Sequence, residues 1–194
     1  FFNTGLTSVN FDNIYDIGEY AFSGTNLQTV ILPEYLYNVG NGAFSNCNEL
    51  KTVTLLGSMY NGGGIFFSCN NINTIICLSH WHYEMGFSDD VKEMAAVYVP
   101  ESQVSSWSSE GFLNVKAANI GNVGHNVIDV YDDGRAGKGG YVSINGKTAD
   151  TMHGQAFFAD DGTDLVISFS PNVEWGVVLD KAFIDGVDVT SSLI

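Results

Sequence analysis

The chain has 194 residues, of which 45% are hydrophobic and 15% charged, a composition typical of a folded chain with one or two domains. Its formal net charge of −15 arises from 22 acidic and 7 basic side chains. An acidic surface repels phosphate backbones and anionic lipid, which argues against nucleic-acid binding and membrane docking. No apolar run approaches the roughly 20 residues of a membrane span, so we predict no membrane insertion by this chain.

The first half of the sequence contains four segments that repeat with a period near 22 residues. They begin at Leu6, Leu27, Leu50 and Ile72, so successive starts are 21, 23 and 22 residues apart. Each opens with the pattern L-x-x-V-x-L, with Ile or Phe also allowed, and this alternation is typical of a short strand with one buried face. A period of about 20–29 residues with this strand pattern predicts leucine-rich-repeat coils, which bury their apolar sides only by stacking.

A second apolar pair follows within the first two repeats, at Ile14 and Ile17 and again at Leu36 and Val39. In the third repeat the run Gly62-Gly63-Gly64 stands at the corresponding place. The run leaves the presence of a second strand in that repeat open.

The recurring combination I-G-x-x-A-F-S-x-x-x-x-L-x-x-V-x-L-P resembles the BspA-like leucine-rich-repeat proteins of bacterial surfaces, over about residues 6–115. The segment AAVYVPESQVSSWSSEGFLNV, from Ala95, is similar to the closing segment of that family, with a strand, a helical turn, a Trp and a Phe. Such a segment is expected to cap the apolar end of the stack. The resemblance implies surface exposure and adherence to host proteins, glycans or other cells.

The second half of the chain reads as a series of short strands separated by turns. Asn145-Gly146 and Asp185-Gly186 lie between apolar alternations, which favours hairpins, and Asp161-Gly162 is predicted to turn as well. The stretches GTDLVISFSP and IDGVDVT resemble small Ig-like or repeat modules found beside such solenoids, and the pattern would place a further strand beyond Ile194. The predicted strands lie near residues 127–131, 140–144, 155–159, 164–169, 176–184 and 187–190.

We therefore predict a mainly β chain in two units. Residues 1–116 form a leucine-rich-repeat solenoid of about four repeats with a C-terminal cap, and residues 117–194 form a small all-β sandwich-like domain. The boundary is expected between Val115 and Val127, where few apolar residues could anchor the backbone. The only helix of note is expected near residues 101–108, after Pro100.

Several short motifs contain residue types that bind metals or phosphate. His80 and His82 could face one metal, but zinc needs three or four ligands and Glu84 is the only carboxylate nearby, so a polar loop is favoured. The acidic turns 132–134 and 160–164 lack the spacing of an EF-hand loop, which leaves calcium binding there as a weaker alternative to ordinary turns. The run 134–139 is too short for a phosphate loop. We predict no cofactor, no metal and no catalytic residue.

The three cysteines cannot form a closed set of disulfides. Cys47 and Cys69 occupy the same repeat position, which would allow a disulfide between stacked coils. Two reduced thiols packed as small apolar side chains are the favoured alternative, and Cys77 is expected to pack in the fourth strand.

Candidate binding residues follow from the alternation of side chains along the L-x-x-V-x-L strands. Residues on either side of the central V point outward, away from the core. Because Lys51 is the only charge near that face of an acidic protein, an exposed apolar row there is typical of an interface. The alternative is that β-branched residues simply favour exposed strand positions. The predicted partner-binding residues are Ile31, Thr54, Ile76 and Tyr98 in one row and Thr29, Thr52 and Thr74 in the other.

These features together predict a non-enzymatic extracellular binding or adhesion module of a bacterial cell-surface protein. Its partner would be a protein or glycan on host or neighbouring cells, contacted through the solenoid face. The alternative is a purely architectural role, in which the domains space or present another part of a larger surface protein.

Overall fold

The computed structural model describes residues 1–57, 60–79, 85–130, 140–149, 155–159, 166–171, 183–184 and 187–188. The chain is mainly β. The strands in chain order are β1 (Asp16–Ile17), β2 (Thr29–Leu32), β3 (Asn38–Val39), β4 (Thr52–Leu55), β5 (Tyr60–Asn61), β6 (Thr74–Cys77), β7 (Ala96–Val99), β8 (Asn114–Ala117), β9 (Asn126–Val130), β10 (Gly140–Ile144), β11 (Lys147–Ala149), β12 (Gln155–Ala159), β13 (Ile167–Pro171), β14 (Phe183–Ile184) and β15 (Val187–Asp188). The helices are α1 (Asp89–Met94), α2 (Val104–Ser109) and α3 (Ile120–Val123), and a 3-10 turn at Glu101–Gln103 precedes α2.

Two parallel sheets run through the repeat region. The larger has five strands in the order β2-β4-β6-β7-β8, and the smaller has the order β1-β3-β5. Successive strands pair at equivalent repeat positions, as Val30 does with Val53 and Val53 with Ile75. The sequence period therefore sets the register directly. The third repeat does have its second strand, β5, beside the glycine run.

The core of the repeat region is built from the inward side chains of the large sheet and a column of aromatic rings. The inward positions Val30, Val53, Ile75 and Val97 are fully buried. A column of phenylalanine rings stacks through successive repeats with centroid separations of 5.3–5.7 Å, formed by Phe1, Phe22, Phe44, Phe66 and Phe87. Each ring covers the next, so adjacent repeats share one continuous core.

The closing segment ends this column. The ring of Phe112 lies edge-on to Phe87 at 5.9 Å, and Trp107 packs on Phe112 at 4.8 Å. Both Trp107 and Phe112 are buried. The predicted helix near residues 101–108 is confirmed as the 3-10 turn and α2. The prediction that it is the only helix was wrong, because α1 and α3 are also present.

The first repeat departs from the predicted strand. Residues 6–11 adopt no strand, although Phe11 is buried in the core. The side chain of Asn10 accepts a hydrogen bond from the Asp12 backbone N–H at 2.8 Å and donates to the Asp12 carboxylate at 3.0 Å. This local turn competes with strand pairing for the backbone at the end of the segment.

The second half contains antiparallel pairs, β9 with β12, β10 with both β11 and β13, and β14 with β15. The predicted hairpin at Asn145-Gly146 is confirmed: both residues have positive φ, 51° and 80°, between β10 and β11. Strand β11 was not predicted. The predicted turns at residues 161–162 and 185–186, and residues 176–182 of a predicted strand, lie outside the described residues.

Among the described residues, a backbone hydrogen bond joins β12 to the repeat region. The Ala156 N–H in β12 donates to the Leu78 carbonyl at 3.0 Å, and both residues are buried. The division at residues 116–117 stays a prediction. Among the described residues, none of the helices has the length and apolar character to span a bilayer.

Candidate interaction surface

The large sheet aligns the predicted binding residues in two rows. We call Ile31, Thr54, Ile76 and Tyr98 the outer row, because these residues are direct register partners from β2 to β7. The second row aligns Thr29, Thr52 and Thr74 in the same way. The strand β8 extends both rows, adding Lys116 to the outer row and Asn114 to the second.

Exposure varies along the outer row. The side chain of Ile31 is 52% exposed, whereas Ile76 and Tyr98 are partly buried. Thr54 is only 7% exposed, so its prediction as an exposed contact residue was wrong. Its side chain is shorter than those of Ile31 and Ile76, which flank it on neighbouring strands about 4.8 Å away. The two isoleucines therefore cover the threonine between them.

The prediction that Lys51 is the only charge near this face was wrong. Lys116 is exposed at the end of the outer row, because β8 joins the sheet beyond the predicted closing strand. The row thus runs from an exposed isoleucine at the β2 edge to an exposed lysine at the β8 edge.

A cleft of about 760 Å³ lies beside the β2 edge of the sheet. Residues 7–12 of the first repeat form one wall, and Thr29, Ile31, Glu34 and Tyr35 stand among the residues on the other side. The first repeat is hydrogen-bonded to the second repeat at positions outside the large sheet. In the described part of the chain it makes no backbone hydrogen bond to β2, and this leaves the cleft. The bonds from Phe22 N–H to the Ala43 carbonyl and from Gly40 N–H to the Ile17 carbonyl are both 2.8 Å.

The hydrogen bonds between β2 and β4 show which residues of β2 direct their backbone groups towards the cleft. The Gln28 carbonyl accepts from Thr52 N–H at 3.3 Å, and the Leu32 carbonyl accepts from Leu56 N–H at 3.0 Å. Because alternate residues of a strand direct their backbone groups to opposite edges, Thr29 and Ile31 direct theirs into the cleft. Within the described part of the chain, no backbone bond joins residues 6–12 to these two residues.

The cleft carries aromatic and acidic side chains that the sequence analysis did not single out. The hydroxyl of Tyr35 accepts a hydrogen bond from Asn13 N–H at 2.7 Å, and its ring lies 5.6 Å from that of Tyr15. Asp12 and Glu34 are the acidic residues lining the cleft, and no Lys or Arg is among its lining residues. The run Pro33-Glu34-Tyr35, directly after β2, was the available signal, but the repeat pattern alone assigns it to a loop.

The cysteines form a buried thiol ladder within the repeats. The Cys47 thiol donates to the Phe22 carbonyl at 3.2 Å, and the Cys69 thiol donates to the Phe44 carbonyl at 2.9 Å. All three cysteines are free thiols, which agrees with the favoured alternative of stacked reduced side chains. The hydrogen bond with Cys47 and burial both raise the pKa of Cys69, and burial raises the pKa of Cys77 to about 12.

The remaining candidate sites fall largely outside the described residues. His80, His82 and Glu84 lie there, as do the acidic turns 132–134 and 160–164 and the glycine-rich run 134–139. In the part of the chain that is described, no three His, Cys, Asp or Glu side chains are grouped so as to hold a metal ion.

Comparison with known families gives a match over the repeat region. The description "BspA type Leucine rich repeat region (6 copies)" applies to residues 1–119. The match extends over the closing segment, whose strands β7 and β8 continue the large sheet beyond the four predicted repeats. No curated protein and no solved structure matches the chain. Because the match covers more than half of the 194 residues, the chain belongs to the family of proteins with BspA-type leucine-rich repeats.

Proposed function

We propose that this chain is a non-enzymatic binding module of a bacterial cell-surface protein, which adheres to a protein or glycan partner on host or neighbouring cells. Repeats of the BspA type are typical of surface proteins, and leucine-rich repeats are generally non-catalytic interaction modules. In this proposal, the repeat region is a solenoid that presents its large sheet to the partner. The second half is a small sandwich-like domain that carries it.

The observation that supports this proposal most strongly is the outer row. An isoleucine that is 52% exposed and a tyrosine stand in register on one sheet face, in a protein with a net charge of −15. Exposed apolar and aromatic side chains on a face with few charges are typical of the centre of an interface. The neighbouring cleft adds Tyr35, whose ring lies 5.6 Å from that of Tyr15, so aromatic surface continues around the β2 edge.

Arrays of purified extracellular-matrix proteins and of glycans test this function. We expect the wild-type chain to bind a defined subset of spots, and we expect Ile76→Asp, which places a charge in the outer row, to lose that binding. Met94→Asp is the matched control, because Met94 is 63% exposed and lies at the end of α1, outside both rows. If wild type and both variants give the same blank array, the architectural alternative is favoured, in which the repeats only present another domain.

A further inference from the structure

We propose that the β2 edge cleft binds an extended, positively charged polypeptide segment, which adds to the large sheet as a further strand. This proposal rests on the proposed binding function and names a second site for it, separate from most of the outer row. It assigns the recognition to backbone hydrogen bonds at Thr29 and Ile31 and to the acidic side chains Asp12 and Glu34.

The free backbone of β2 supplies the first part of the argument. A sheet edge offers N–H and C=O groups at alternate residues, and an added strand satisfies both kinds. The other edge of β2 is occupied, since β4 pairs with it over Thr29–Leu32. The groups of Thr29 and Ile31 point into the cleft, where residues 7–12 stand away from the strand instead of pairing with it.

The shape of the first repeat explains why the opening persists. Its wall is held by Asn13 N–H, which donates to the Tyr35 hydroxyl at 2.7 Å, and by Phe11, whose ring packs edge-on against Phe22 at 5.3 Å and Phe44 at 5.7 Å. These contacts anchor the wall at its far end. In this arrangement residues 7–12 line the cleft without a backbone hydrogen bond to Thr29 or Ile31, so the strand edge is accessible to another chain.

The charge of the cleft selects the occupant. Asp12 and Glu34 line it, no basic residue does, and the whole chain carries a net charge of −15. Such a field favours a segment with Lys or Arg side chains and disfavours an acidic one. It also disfavours a second copy of this chain, which would bring a surface of the same sign.

A labelled peptide, acetyl-Lys-Val-Lys-Thr-Lys-Val-Lys-amide, tests the site by fluorescence polarisation. We expect saturable binding to the wild-type chain and at least tenfold weaker binding of the counterpart in which every Lys is Glu. The same Lys peptide with alternate backbone nitrogens methylated keeps its charge, and in one of the two phases the methyl groups remove the N–H groups that would face β2. We expect that phase to bind at least tenfold more weakly than the other phase, and equal binding by both phases would overturn strand addition.

Variants of the chain locate the site. Thr29→Pro removes the N–H that faces the cleft, at an edge position where proline is tolerated, whereas Thr29→Val keeps that N–H. We expect the proline variant to weaken peptide binding tenfold or more and the valine variant to change it less than twofold. Unchanged binding by a folded Thr29→Pro variant would overturn the proposal, and the methylated peptides test it on wild-type protein if that variant fails to fold.

The outcome is distinguishable from a failure of the proposed function. Ile76 does not line the cleft, so Ile76→Asp should lose array binding and keep peptide binding. A wild-type chain that binds the peptide but no array spot would count against the outer row, and a wild-type chain that binds array spots but not the peptide would overturn the cleft. Sedimentation equilibrium without peptide tests whether a second copy of the chain occupies the edge instead. A dimer of the wild-type chain that is absent in Thr29→Pro would assign the β2 edge to a second copy.

Discussion

The ring of Phe22 lies parallel to the ring of Phe44, 22 residues later in the chain, with centroids 5.3 Å apart and an interplanar angle of 7°. Equivalent phenylalanines of successive repeats therefore stack directly on each other. Phe66 continues the stack at 5.7 Å from Phe44. This relationship makes the core continuous between repeats, and it places Phe44 between two aromatic neighbours.

Replacing Phe44 with Ala should therefore destabilise the repeat region strongly. Phe44 is fully buried, and removing a buried Phe costs about 3–5 kcal/mol of unfolding free energy. Chemical denaturation measures the change. Phe67→Ala is the matched control, because Phe67 follows in the next repeat but is 62% exposed, and we expect a change within about 0.5 kcal/mol. Similar losses for the two variants would contradict the stacked core.

Gly40 marks a close approach between repeats. A Cβ on Gly40 would lie 2.4 Å from the Glu19 backbone nitrogen, so Gly40→Ala should lower the unfolding free energy by about 1–3 kcal/mol. Gly18 is the equivalent residue one repeat earlier, and a Cβ there would meet nothing within 4 Å. Gly18→Ala should therefore be neutral or slightly stabilising in the same denaturation experiment. A reversed order of the two variants would show that the repeats do not approach at Gly40.

Burial raises the pKa of Cys77 from 9.0 to about 12, with a smaller contribution from Glu110. The unfolded chain therefore releases this proton at lower pH than the folded chain does. The contribution of Cys77 to stability is complete below pH 9 and falls as the pH rises towards 12. The expected slope for one thiol is at most about 1.4 kcal/mol per pH unit.

Cys77→Val tests this dependence, because valine keeps an apolar side chain of similar size without a titrating group. We expect the unfolding free energy of wild type to fall more steeply than that of the variant above pH 9. Tyrosines and lysines titrate in both proteins, so the difference between the two curves isolates Cys77. Parallel curves would mean that the thiol is not protected from ionisation by the fold.

The sequence pattern predicts the register of the large sheet because one strand per period leaves no freedom in pairing. The pairs Thr29 with Thr52 and Thr52 with Thr74 are those expected from the L-x-x-V-x-L alignment. The helix near residues 101–108 follows similarly from Pro100 and the polar run after it. Helix α1 had a comparable signal that was missed, since Ser88 caps it and Asp89 and Asp90 fill its first turn.

The features that escaped prediction depend on contacts between repeats. The burial of Thr54 depends on the lengths of its two ladder neighbours, and the addition of Lys116 depends on where the chain returns after α2. The cleft depends on how far the first repeat stands from β2, which Asn10, Asn13 and Phe11 set through separate contacts. No single periodicity encodes such distances, so Tyr35 and Glu34, which line the cleft, were overlooked.

Limited proteolysis tests the predicted division of the chain. We expect the first cut between Val115 and Val127 and a resistant fragment containing the repeats, because β8 is the last strand of the large sheet. The hydrogen bond between Ala156 and Leu78 predicts that the second half is protected while the chain is intact. First cuts within the repeats, with residues 115–127 left whole, would contradict two units.

The most direct test of the central claim is array binding by Ile31→Asp/Ile76→Asp, with the thermal midpoint measured on the same preparation. Ile31 is 52% exposed and Ile76 partly buried on the outer row, so the double variant should remain folded, with a midpoint close to that of wild type. We predict that it loses binding to every matrix-protein or glycan spot that the wild-type chain recognises. Wild-type binding by the folded double variant would contradict the account, because the outer row would then not be the surface that meets the partner.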